Sequence, residues 1–74
     1  MQSRDPQSGA VYATRRERRS AVRSMLACLK AIRDAEQNSL GNVPESFQNS
    51  VPYEIGEHAV EILDDIIDLM ADIY

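Results

Sequence analysis

The 74-residue chain has one cysteine, no tryptophan, one phenylalanine, three glycines and three prolines. A lone Cys28 excludes an internal disulfide, and a single core of this size supplies at most ~3–5 kcal/mol of net stability. With no staple, a partner or self-association is the expected source of the rest. Cys28 lies in an apolar helical run and is expected as a small buried hydrophobe rather than a reactive thiol. The lack of a disulfide framework favours a reducing, cytoplasmic location. There is no signal-peptide apolar segment, and no apolar run approaches the ~20 residues of a membrane span. Basic residues are missing altogether after Arg33. Residues 1–33 hold all eight Lys and Arg with two acids, and residues 34–74 hold ten acids, so the halves carry +6 and −10 and the chain −4. Such a division points either to nucleic acid at the basic end or to halves that lie against each other.

What is there reads as two helices. Residues 1–13, with Pro6, Gly9 and no periodicity, are expected as an N-terminal arm, and residues 14–74 as a helical hairpin. The first helix is expected over 14–37, where Pro and Gly are absent and good helix formers dominate. Val22, Met25, Leu29 and Ile32 make its apolar face, widened by Leu26. The second is expected over 52–73, with Ser50 as N-cap and Pro52 and Glu54 in the first turn. Its apolar residues form two adjacent rows: Ile55, Ala59, Ile62, Ile66, Leu69, Ile73, and beside them Leu63, Ile67, Met70, Tyr74. The first row advances 18 residues in five steps, the helical period of about 3.6.

These spacings predict an all-α, antiparallel two-helix hairpin burying Val22, Leu29, Ile32, Ile55, Ile62, Ile66 and Leu69. With Gln37 and Pro52 as facing ends, residue k lies beside residue 89 − k, which sets Arg23 near Ile66–Asp68. The second row, Leu63, Ile67, Met70 and Tyr74, is then left over as an oligomer face. The linker 38–51 is expected to hold a short helical turn. Gly41 and Asn42 suit a left-handed stop, Asn42 caps the turn beginning at Val43–Pro44, and Leu40, Phe47 and Val51 fold over the open end as an apolar plug.

The charges follow the same geometry. Glu54, Glu57, Glu61, Asp64, Asp65, Asp68 and Asp72 form an acidic ridge on the second helix, and Arg15, Arg16, Arg18, Arg19 and Arg23 open the first. Each cluster opposes the macrodipole of its own helix, so an antiparallel hairpin that pairs them is the expected balance. The arginines could otherwise contact phosphates, though no aromatic or amide base-reading set accompanies them. The ridge could otherwise imitate phosphates and occupy a basic groove of a partner. His58, flanked by Glu54 and Glu61, is expected as a solvated side chain rather than a metal ligand. No phosphate loop or oriented nucleophile–base pair is present, so no catalytic residue, metal or cofactor is expected.

Glu36, Gln37, Leu40, Asn42, Pro44, Glu45, Phe47, Gln48 and Ser50, followed by an acidic helix, resemble a helical-hairpin segment of short bacterial and phage proteins over about residues 32–73. Gly41 and Val51–Pro52 depart from that pattern. The resemblance implies an α-hairpin without catalytic residues and an accessory or mobile-element protein. The expectation is therefore a non-enzymatic helical interaction or oligomerisation module. Its partner is a second copy or a larger protein, with no membrane and no small-molecule substrate. An acidic inhibitor of a nucleic-acid-binding host protein is the alternative, and nucleic-acid binding a weaker one.

Overall fold

In the computed structural model, residues 12–74 are described; the rest of the expected arm lies outside them. Two α-helices, α1 (Arg15–Gly41) and α2 (Val51–Ala71), pack against each other as a hairpin, and a single 3₁₀ turn, Glu45–Phe47, stands in the connection.

Local chemistry explains the helix starts. Thr14 is the N-cap of α1: its hydroxyl accepts from Glu17 N at 3.1 Å while its own N–H donates to Glu17 Oε1 at 2.9 Å. This reciprocal box satisfies two otherwise unpaired donors. The Thr-x-x-Glu signature stands plainly in the sequence. Arg18 turns back and donates to the carbonyls of Tyr12 and Ala13 at 2.7 and 3.1 Å. Ser50 caps α2 as expected, accepting from Tyr53 N at 3.3 Å.

The end of α1 differs from expectation. The helix runs four residues past Gln37, and its C-cap Asn42 has φ −95° and ψ −2°, a right-handed rather than a left-handed stop. Asn42 N and Val43 N donate to Ser39 O and Leu40 O at 3.2 and 3.1 Å, tightening the last turn. Val43 precedes Pro44, whose ring disfavours the helical region for the residue before it, and this ends the helix. Pro44, not Asn42, is the N-cap of the 3₁₀ turn, with no side-chain cap. Of the expected plug only Leu40 is half-buried; Phe47 and Val51 are 60% and 67% exposed, and Val43, not expected there, is half-buried instead.

The rows of α2 exchange the roles expected of them. Ile67, at 7% exposure, is the one buried hydrophobic side chain among the described residues, with Leu63 and Met70 half-buried beside it. The seam therefore follows Tyr53, Gly56, Val60, Leu63, Ile67 and Met70 on α2, and Val22, Leu26, Leu29, Arg33, Glu36 and Leu40 on α1. Ile32, Ile55, Ile62, Ile66 and Leu69, all expected inside, are exposed; Val22 and Leu29 are half-buried. Cys28 is exposed as well.

Gly56 explains part of this choice. A Cβ there would stand 2.8 Å from Leu40 Cδ2 and 2.9 Å from Glu36 Oε2, so the missing side chain lets the helices close beside the loop. Arg33 bonds to Asp64 across the seam, and this pairing lies about one heptad beyond the 89 − k register. Accordingly Arg23 shares a groove with Met70, Ala71 and Tyr74 rather than with Ile66–Asp68. The first turn of α1 overhangs the end of α2.

Candidate functional site

Each exposed apolar residue of the helices' uncovered rows immediately precedes a seam residue: Met25 before Leu26, Ile32 before Arg33, Ile55 before Gly56, Ile62 before Leu63, Ile66 before Ile67, and Leu69 before Met70. One residue back is a rotation of about 100° from the seam on either helix. Because the helices are antiparallel, the same sense of rotation carries both rows to the same side of the layer. There they form one continuous apolar face, joined across the seam by a shallow groove lined by Met25, Cys28, Leu29 and Met70. Each of the six precursor residues is 37–71% exposed, together roughly 600 Å² of accessible surface, at the top of the ~300–600 Å² of the largest patch on a typical monomer.

The residues that follow the seam tell the opposite story. Arg23 and Lys30 on α1, and Glu57, Glu61, Asp64 and Asp68 on α2, rotate to the other side. The hairpin thus has an apolar face and a charged face. Across the charged side, Arg33 binds Asp64 and also Asp34, the latter at 2.8 Å; the bond to Asp34 and then that to Asp64 raise the Arg33 pKa above its ordinary value. Arg33 buries its stem in the seam and keeps its head among carboxylates.

The expected pairing of the two charge clusters is not what joins the helices. Arg33–Asp64 is the one interhelical ion pair among the described residues. Arg19 instead lies over the Tyr74 ring, 5.6 Å from its centroid, an arrangement in which the ring quadrupole attracts the cation. Arg15, Arg16, Arg19 and Arg23 line an open basic concavity with Ser20 on α1 alone, and Arg18 is spent on the helix cap. Glu54, Glu57, Glu61, Asp65, Asp68 and Asp72 are all exposed. His58 is exposed, and no group of three or more His, Cys, Asp or Glu is placed to hold a metal ion among the described residues.

Of the residues expected as an oligomer face, Leu63, Ile67 and Met70 lie in the seam against α1, while Tyr74 is half exposed. The uncovered surface is the neighbouring row. Gly56 was the residue without a reading from sequence; its isolated position inside an apolar helical pattern was the available signal. No described helix is long and apolar enough to cross a membrane. No family model, curated protein or solved structure matches the chain.

Proposed function

We propose that the chain is a non-enzymatic protein–protein interaction module that docks through the apolar face of its hairpin. The observation that carries this reading is the division of one thin layer into an apolar face and a charged face, with Ile67 the one buried hydrophobic side chain among the described residues. Folded domains ordinarily enclose a core between two packed layers of secondary structure, and here only one layer is described. A face of Ile, Leu and Met side chains on a chain with net charge −4 suits an apolar protein surface rather than a nucleic acid. An accessory protein of a bacterium or phage, as the resemblance to such hairpin segments implies, is the setting this reading suits.

The double substitution Ile66→Asp with Leu69→Asp tests the reading. Neither side chain belongs to the seam, so helicity by circular dichroism should persist at low protein concentration while assembly with any partner is lost. A variant that assembles as the wild type does would refute docking through this face.

A further inference from the structure

Resting on that reading, we propose that the occupant of the apolar face is a second copy of the chain, stacked so that α1 of each hairpin lies on α2 of the other and both loops sit at the same end. The area and the charges of the face support this. Two such faces pressed together remove up to roughly 1,200 Å² in total, at the lower end of the ~1,200–2,000 Å² of a stable interface. They also make two layers from one, so that the row Ile55, Ile62, Ile66 and Leu69 becomes core.

Only two twofold arrangements bring identical faces of an antiparallel hairpin together in register. If the axis lies across the helices, the loops fall at opposite ends, α1 lies on α1 of the second copy, and α2 lies on α2. If the axis runs along the helices, the loops share one end and unlike helices stack. Charge separates the two. α1 carries seven basic and three acidic residues; α2 carries six acidic and no basic residues. Like-on-like stacking sets two strongly acidic helices side by side along their whole length, with no cation between them to relieve the repulsion. Unlike stacking places the basic opening of α1 beside the acidic close of the second copy's α2, because those ends already share one end of the hairpin. Both arrangements set each helix antiparallel to the one it covers, so the helix dipoles are equally satisfied in either and the side-chain charges make the choice.

The experiment uses the full chain with Cys28→Ser and Ser46→Cys, Ser46 being exposed in the connecting turn. Sedimentation equilibrium should give twice the 8.3 kDa chain mass. A spin label on residue 46 should report a separation of roughly 15–25 Å, set by interaxial distances of ~10 Å. Loops at opposite ends would lie at least the ~30 Å length of the 21-residue α2 apart, and such a distance would overturn the arrangement while leaving docking through the face intact. A monomer at every concentration would overturn the second copy as occupant. A dimer that survives Ile66→Asp with Leu69→Asp would overturn both this arrangement and the docking face itself.

Discussion

The two apolar rows of α2 are alike in composition, lie one residue apart and alternate steps of three and four, yet one is covered and the other is not. Leu63, Ile67 and Met70 meet α1, while Ile62, Ile66 and Leu69 stand at the surface. Periodicity cannot choose between such rows, since both stay on a helix face along its length. The space left at Gly56 chooses. The covered row contains Gly56, where the absent side chain admits Leu40 and Glu36, whereas the uncovered row offers Ile55 at the neighbouring position. Arg33 then reaches Asp64, one residue beyond Leu63, from the charged side. An apolar stripe is thus a necessary condition for a seam, and the place where the side chains of the facing helix find room decides which stripe is used.

The sharpest way to break this comparison is to truncate one residue of each row. Ile67→Ala should cost ~2–5 kcal/mol by removing methylenes from the seam. Its melting temperature should fall at every protein concentration. Leu69→Ala leaves the seam untouched, so at the lowest concentrations its melt should match the wild type within the ~0.5 kcal/mol of a surface change. At high concentration, where the face is covered, it should melt lower than the wild type. Equal behaviour of the two variants under dilution would show that the rows are not distinct.

Gly56 gives a smaller effect with a sign that depends on size. Gly56→Leu should cost ~1–3 kcal/mol, because the added side chain has to displace Leu40 and Glu36 or part the helices. Gly56→Ala meets only side-chain atoms of those two residues, which can turn aside, and gains up to ~1 kcal/mol of helix propensity. Denaturant melts should place it near the wild type. A large loss for alanine would mean that the backbones, and not the side-chain tips, are in contact.

The N-terminus of α1 supplies the mildest change, and one far from either row. Thr14→Ala should cost ~1 kcal/mol by removing the cap, without altering assembly. Backbone and side-chain bonds from Thr14 hold the Glu17 carboxyl below its ordinary value. A depressed folded pKa means the stabilisation is present above the unfolded value and is lost as pH falls through the folded one. Helicity at residues 15–18, followed by amide resonances, should therefore decline between about pH 5 and pH 3. In Glu17→Gln, which removes the titrating carboxyl, the decline should be absent; an unchanged titration would exclude the capping box as its cause.

Sequence alone determined the elements of this protein: the uninterrupted helix formers from Thr14, the Ser50 cap with Pro52 behind it, and the amphipathic rows that make two helices pack as a hairpin. These are local matters of backbone donors and side-chain spacing, and nearby residues settle them. The pre-proline stop at Val43 and the Thr14–Glu17 box were written in the chain just as locally. The register, the choice of seam and the exposure of Cys28 were decided only in the tertiary structure. They depend on where the side chains of α1 find room against α2, and that depends on Gly56, Leu40 and Glu36 at once. Residues far apart in the chain settle such a question jointly, and no single row of apolar side chains contains the answer.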